Sequence, residues 1–413
     1  MEELVIVGAG AAGLMCGALA SREGIKTVIL EHTDFSGKKI LSTGNGKCNM
    51  TNYDLTVEKY YCKDEKFIGN ILSKVDSEML LDVFKSLGLI TRDRDGYVYP
   101  YSEQASAVRE VLFTACMENG VRIQNEVLIE NIENADGVYF IYTNNGVIKT
   151  KSLVLATGGK TFVKSGSDGS GYGLAKKLGH KIVNTVPALT AFICHEKYYK
   201  KVSGVRVKAK IALYDKDKCV AWEYGEVQFT DYGISGIPVF NISRTGAYIL
   251  KTGRKPYVLI DFMKDYSKEE IVEILSAASK NRTISEQLSF MLNKKLAMLL
   301  LELTGISKEA KIAEVSANQI GKLTDMMKGY RTDIANIKGF DYAQVTAGGV
   351  STEEINSDTM ESRLHENLYF AGEIIDVDGK CGGYNLHFAW ATAMITAKAI
   401  AEKINGKNQN KPD

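Results

Sequence analysis

The sequence predicts an α/β fold whose sheet is built from both ends of the chain, split by an inserted β-plus-helical region. Three observations predict it. Leu4-Val5-Ile6-Val7 is an apolar run of strand length that meets Gly8-Ala9-Gly10-Ala11-Ala12-Gly13 and then a small-residue helix. Near Pro187 the pattern changes to short strands, and from Ser267 to about Tyr330 it becomes helical. After Gly339 the strand-and-glycine style of the N-terminal part returns.

The first unit reads as strand, glycine turn, helix and strand. Gly24 ends the helix, and Lys26 to Leu30 forms the second strand, closed by Glu31. Glu103 to Glu118 has helical apolar spacing with Gly120 as its stop. Val121 to Ile132, Gly137 to Thr143 and Val147 to Ala156 read as strands. In the middle, Ala191 to Asp261 reads as short strands forming a small sheet or barrel. Helices are expected around Ile271–Ala278, Ser285–Leu303 and Ala317–Met327. The last helix is expected from about Phe388 to Lys403. The domains follow as 1–190 and 339–404 for the two-part α/β domain, 191–263 for the β insertion and 264–338 for the helical insertion. Residues 405–413 are expected to be a disordered polar tail.

Composition narrows the function. Lys plus Arg is 51 and Asp plus Glu is 50, a balance that gives no support for nucleic acid as a partner. No apolar run approaches the roughly 18–20 residues of a membrane span. Met1-Glu2-Glu3 lacks the basic start of a signal peptide, so a cytoplasmic protein is expected. The 7 cysteines are irregularly spaced and form no CxxC, which suits reduced thiols and argues against a dithiol centre. The histidines show no ligand spacing, and no metal site is expected.

The chemistry-bearing residues begin with Gly8-x-Gly10-x-x-Gly13. Gly8 permits a tight turn, Gly10 a close approach to a pyrophosphate, and Gly13 close helix–strand packing. The helix N-terminus offers free N–H groups to phosphate. Glu31, at the end of the next strand, is placed to accept from ribose hydroxyls. Leu153-Val154-Leu155-Ala156-Thr157-Gly158-Gly159 is an apolar strand ending in small residues that can pass close to a dinucleotide. Near the C-terminus, Asn367 to Phe370 runs into Ala371-Gly372-Glu373. A glycine loop follows, and then Tyr384-Asn385-Leu386 opens the final helix. That helix start would favour the flavin edge that becomes anionic on reduction. The fingerprint alone does not separate FAD from NAD.

These motifs, with the run Gly37-Lys38-Lys39-Ile40-Leu41-Ser42-Thr43-Gly44-Asn45-Gly46-Lys47-Cys48-Asn49-Met50-Thr51-Asn52 and with Phe229 to Gly236, form a set. It resembles the bacterial flavoprotein family that includes the aminoacetone oxidases and the bile-acid-inducible reductases, within the glutathione-reductase-like FAD superfamily. The resemblance implies non-covalent FAD in a two-part Rossmann-like domain, with an inserted barrel and helical part covering the flavin. It implies that Gly8, Gly10, Ala12, Gly13 and Glu31 hold the ADP half, and that Val127 touches the adenine through its backbone. Lys38, Lys39, Thr43, Gly44 and Gly46 would lie along the pyrophosphate and flavin, with Thr157 and Gly158 nearby. Gly372, Glu373, Asn385 and Leu386 would hold ribityl and isoalloxazine. Lys47 stands where the family usually has Arg, which puts any fork-like contact there in doubt.

Two reactions stay open: reduction of an activated C=C bond by NADH or NADPH through the flavin, and oxidation of a small amine with oxygen as acceptor. A non-catalytic flavin sensor is a third reading. In each case the partner is a small molecule. Ser165-Gly166-Ser167-Asp168-Gly169-Ser170-Gly171 lacks the spacing of a second fingerprint, so no dedicated nicotinamide domain is expected. Tyr232 and His387 are the candidate proton donors. Tyr232 reads equally as loop packing, and His387 equally as a helix cap. Cys48 reads as a packed small residue rather than a redox thiol.

Overall fold

A computed structural model describes the backbone of residues 1–409 and the side chains of residues 1–406. Its contacts divide the chain into two units, Met1–Val186 with the C-terminal part from Gln344, and Pro187–Ala343.

In the first unit, the strand Glu2–Val7 sits centrally, with Leu4 to Val7 all buried. A strand buried on both faces reads as a continuous apolar run, and that is what made it legible. On one side it pairs in parallel with Thr27–Leu30, which pairs with Arg122–Gln124. On the other it pairs in parallel with Gly146–Leu155. That long strand does two jobs. Its first half pairs antiparallel with Val138–Thr143, and its last three residues pair in parallel with Leu368–Phe370. The C-terminal segment is thus a strand of the N-terminal sheet. The helices Ala11–Arg22 and Tyr384–Gln409 bring the two ends together as well: a Cβ added at Gly372 would stand 2.9 Å from the Ala12 Cβ.

The second unit holds a closed six-stranded barrel. Around it run Phe192–Cys194, Gly233–Ser235, Lys218–Phe229, Arg206–Asp215, Tyr257–Asp261 and Tyr330–Ile337. Period-2 burial along Arg206–Asp215 turns Ala209, Ile211 and Leu213 inward and Lys208 and Lys210 outward. The barrel and the helices share one apolar core, in which Phe229 and Ile260 pack with Leu296 and Leu323. They form one unit, not a β domain followed by a helical one. The closing strand Tyr330–Ile337 comes after the helices, inside the region expected to be helical.

A helix, Ile237–Lys251, occupies part of the stretch expected to be short strands. Its residues are rich in Val, Ile and Phe, which suit a strand by propensity. Pro at its first turn and Val239, Ile242 and Ile249 on a buried face mark it as helical instead. Gly225 and Gly246 let it in close: Cβ atoms there would meet Pro238 at 2.9 Å and Phe192 at 2.8 Å. Capping boxes at Ser267, Thr283 and Ser316 start three other helices. The expected tail is helical through Gln409, and residues 410–413 lie outside the described residues. Among the described residues no helix is long and apolar enough to cross a membrane.

Candidate functional site

A cleft at the carboxyl ends of the parallel strands of the first unit contains about 1400 Å³ of atom-free space, open solvent included. This is where ligands bind in open α/β sheets. Its wall includes Gly8, Gly10, Ala12, Glu31, Val127, Thr157, Gly158, Gly372, Asn385 and Leu386, together with Lys38, Lys39, Thr43 and Glu373.

The glycine turn is closed everywhere except in front of Gly10. A Cβ at Gly8, whose φ is +101°, would lie 2.5 Å from the Ala156 carbonyl oxygen. A Cβ at Gly13 would lie 1.9 Å from the Gly8 carbonyl oxygen, so Gly13 works by packing and stays out of the cleft wall. A Cβ at Gly10 would meet nothing within 4 Å. Gly10 is also the N-cap of the first helix, and no side chain caps its N–H groups. Thr157 adds a buried hydroxyl with no hydrogen-bond partner. An uncapped helix N-terminus, open space before Gly10 and an orphaned hydroxyl suit a pyrophosphate.

Glu31 is buried, and its carboxylate accepts from the Ala9 N–H at 2.8 Å and the Thr33 N–H at 2.9 Å. A carboxylate has about four lone-pair sites, so acceptor capacity remains for a ribose. The Val127 N–H donates to the Glu31 carbonyl at 2.9 Å, which leaves the Val127 carbonyl for a base.

The two lysines line the cleft and are also paired within the protein. Lys38 pairs with Asp34. Lys39 donates to Glu373 at 2.6 Å and to the Thr161 hydroxyl at 2.9 Å. The other Glu373 oxygen accepts from the Thr346 N–H at 2.8 Å and from Thr161 at 3.2 Å. Lys39 therefore clamps the C-terminal strand end to the loop after Gly146–Leu155. The Asn385 side chain grips the Gly379 peptide from both sides, accepting at 2.8 Å and donating at 2.9 Å, so it shapes the loop ahead of the last helix.

Besides Gly13, three expected positions of this unit fall outside the wall. Gly44 and Gly46 lie in an exposed left-handed turn with Asn45, and only Thr43 of that turn reaches the cleft. His387 is wholly buried. Its Nε2 is 3.0 Å from the Val75 carbonyl, which can only accept, so Nε2 carries the proton. Its Nδ1 accepts from the Thr51 hydroxyl at 2.8 Å. Both nitrogens are committed, and His387 is a structural histidine rather than a proton donor at the flavin edge.

Burial pushes the His387 imidazole down to about 4. The unfolded chain protonates near 6.5. Between those values the unfolded state binds the extra proton, so stability is full above pH 6.5 and falls as pH drops towards 4. The loss from this residue is about 3 kcal/mol. Denaturant midpoints across that range should drop less steeply in His387→Asn than in the parent. Equal slopes would reject this account.

Sequence reasoning missed parts of the wall, the longest of them a serine- and glycine-rich segment. Ser165, Gly166, Ser167, Asp168 and Ser170 line this same cleft. Gly166 lets the loop fold onto the ribose end, since a Cβ there would stand 2.9 Å from Thr33 and 3.4 Å from Glu31. Its glycines lack the spacing of a second fingerprint and serve the site of the first. Tyr232 belongs to the second unit. It is half-buried, its hydroxyl makes no hydrogen bond among the described residues, and the Lys338 ammonium lies 4.1 Å from its ring centroid. Cys48 is fully buried, and burial pushes its thiol up to about 12, which suits packing and not redox chemistry.

The HI0933-like protein Rossmann domain matches residues 2–399. The chain belongs to the HI0933-like family. It is an FAD-dependent oxidoreductase, and the cleft residues fit that cofactor. The chain is similar to a 3-dehydro-bile acid delta(4,6)-reductase of Clostridium scindens, 38% identical over 408 residues, covering 98% of this chain and 100% of the relative. A ribosomal RNA dihydrouridine synthase of Haemophilus influenzae is 30% identical, covering 97% of this chain and 99% of the relative. In fold, the chain is similar to a 3-ketosteroid-delta4-(5alpha)-dehydrogenase from Rhodococcus jostii RHA1. The TM-score is 0.50 at 14% identity, over 97% of this chain and 96% of that one.

Proposed function

We propose that the chain reduces a carbon–carbon double bond conjugated to a carbonyl, with NADH or NADPH as the electron source. The observation that carries this is the end-to-end match to the bile-acid reductase. The dihydrouridine synthase match supports the same chemistry, because dihydrouridine is uridine whose carbonyl-conjugated ring double bond has been reduced. A steroid enone and a uracil differ greatly in size and share only that conjugated unit.

Bound FAD supplies hydride transfer at flavin N5. The chain's own residues bind and orient. The Gly8–Gly13 turn and the helix behind it hold the pyrophosphate, and Glu31 holds the ribose. The Lys39–Glu373 clamp and the start of the last helix set the flavin end. With one fingerprint turn among the described residues, NADH or NADPH comes to the flavin without a fold of its own. Tyr232 is the proposed donor of the proton to the substrate α-carbon, since its hydroxyl is not committed elsewhere. Tyr232→Phe should lower kcat by about 100-fold, in the range for loss of a general acid, with KM and FAD content unchanged. Unchanged kcat would remove Tyr232 from the reaction.

The reaction itself is tested by anaerobic titration of the yellow protein. Bleaching by NADH or NADPH, followed by recovery of colour on adding an enone or a uridine-containing RNA, supports the proposal. Bleaching by a small amine, with peroxide formed in air, would replace it with the oxidase reading. A flavin that no small donor bleaches would point to a binding role.

A further inference from the structure

The chain's even charge balance hides a division. The barrel-bearing unit holds more Lys and Arg than Asp and Glu, and the FAD-binding unit the reverse. One outer wall of the barrel is made by Lys218–Phe229, Arg206–Asp215, Tyr257–Asp261 and Tyr330–Ile337, strands in which five Lys or Arg balance five Asp or Glu, so what matters there is which charges are already paired.

Register fixes what shares that wall. Tyr224 stands opposite Lys210, Trp222 opposite Ala212, and Tyr214 opposite Tyr257. Residues directly opposite in an antiparallel pair face the same side. Their neighbours in sequence, Ile211, Leu213, Val258 and Ile260, are buried inside, so this set points out. Trp222 is 61% exposed and Tyr224 is 44% exposed, so both present ring surface to solvent on the same wall. Tyr214 and Tyr257 are stacked, with ring centroids 5.1 Å apart and planes within 8°.

Each outward ring except Tyr214 also carries a cation. Lys210 lies 5.1 Å from the Trp222 centroid, Lys264 lies 4.5 Å from Tyr224, and Arg331 lies 3.8 Å from Tyr257. Several acids of the wall are already taken: Asp261 by Lys328, Asp215 by Arg254, Glu226 by Arg206 and Asp333 by Arg331. Lys208, Lys210, Lys216 and Lys218 make no ion pair among the described residues.

Flat rings interleaved with unpaired lysines suit a ligand that has both π faces and a chain of negative charge. Protein–protein interfaces gather aromatics and Arg but are depleted in Lys, so the lysines argue against a protein occupant. We infer that this wall is a stacking platform for a single-stranded RNA segment, with bases on Trp222, Tyr224 and the Tyr214–Tyr257 pair and phosphates on the lysines. The choice of RNA rests on the reading above, in which a uracil carries the double bond to be reduced. Binding of the strand does not depend on turnover.

The test uses the oxidised, FAD-loaded protein with no reductant, so that it reads binding even if the proposed reaction is wrong. Of the two tryptophans, Trp390 is buried and Trp222 is exposed, so intrinsic fluorescence reports the platform. A 12-nucleotide oligouridine should quench Trp222 and raise the anisotropy of a dye on the RNA. Affinity should fall as salt rises. Trp222→Ala should weaken anisotropy-detected binding about ten-fold or more, and Trp222→Phe should retain most of it. Lys208→Gln with Lys210→Gln should lower the salt slope by about two. FAD content and melting temperature show whether each variant is folded. No binding at low salt, or binding that these substitutions leave unchanged, overturns the inference. Binding of oligothymidine without oligouridine overturns the choice of RNA. A dimer that Trp222→Ala dissociates reassigns the wall to a second copy of the chain.

Discussion

Gly13→Ala should yield a protein that melts early and is purified without its yellow cofactor, whereas Gly10→Ala should fold normally and lose only affinity for FAD. The two glycines belong to one motif, and the structure separates their duties. At Gly13 the new Cβ would stand 1.9 Å from the Gly8 carbonyl oxygen, far inside contact distance, and the obstacle is backbone that cannot rotate away. The first strand and first helix must move apart, which loosens the centre of the sheet. Overpacking usually costs about 1–3 kcal/mol, and a clash this deep against backbone should cost about 4 kcal/mol or more. At Gly10 nothing lies within 4 Å of the new Cβ. The methyl group would project into the space the pyrophosphate needs, so affinity should fall about 100-fold while the denaturant midpoint of the FAD-free protein stays put. Urea melts of FAD-free protein and flavin titrations separate the two effects. Equal destabilisation by both substitutions would contradict this division.

That contrast also explains which parts of the molecule were legible beforehand. Backbone approached closely by backbone or ligand must lack a Cβ, and the sequence records that directly as Gly8, Gly10, Gly13 and Gly372. A strand buried on both faces must be apolar throughout, and Leu4 to Val7 and Leu153 to Leu155 say so in letters. The cleft could therefore be outlined from both chain ends, including Glu31 and the Ala371-Gly372-Glu373 turn.

The rest depended on who meets whom. Nothing local to Lys39 announces that Glu373, 334 residues away, will hold its ammonium. Sequence order alone puts His387 at the flavin edge, because it follows Asn385 and Leu386. On a helix that step of one or two residues turns a side chain to a different face, and this one points into the layer with Thr51 and Val75. Ile237–Lys251 has strand-like composition and is helical because it packs closely on the barrel, with Gly225 on the strand and Gly246 on the helix leaving room for Pro238 and Phe192. The even charge of the whole chain, read without its division into two units, concealed the basic excess of the barrel-bearing unit.

The Lys39–Glu373 pair gives the second large effect, and its asymmetry is the informative part. The two side chains are only 23% and 18% exposed, so breaking the pair leaves a poorly solvated charge. The consequences differ with the partner removed. In Lys39→Met, Glu373 still accepts from the Thr346 N–H and the Thr161 hydroxyl. In Glu373→Ala, the Lys39 ammonium, the Thr346 N–H and the Thr161 hydroxyl all lose their carboxylate acceptor together. Glu373→Ala should therefore be the worse change, costing about 4 kcal/mol, within the range for orphaning a buried charge. Lys39→Met should cost about half as much. The double variant should be less destabilised than the two single losses combined, with a coupling of about 1–3 kcal/mol. The clamp ties Leu368–Phe370 and the turn after it to the loop beyond Gly146–Leu155. FAD retention should therefore fall in the same order as stability. Thermal melts of the four proteins with and without FAD test both parts. Additive losses, or a Lys39→Met protein less stable than Glu373→Ala, would show that Glu373 is not the hub through which the two chain ends are held around the cofactor.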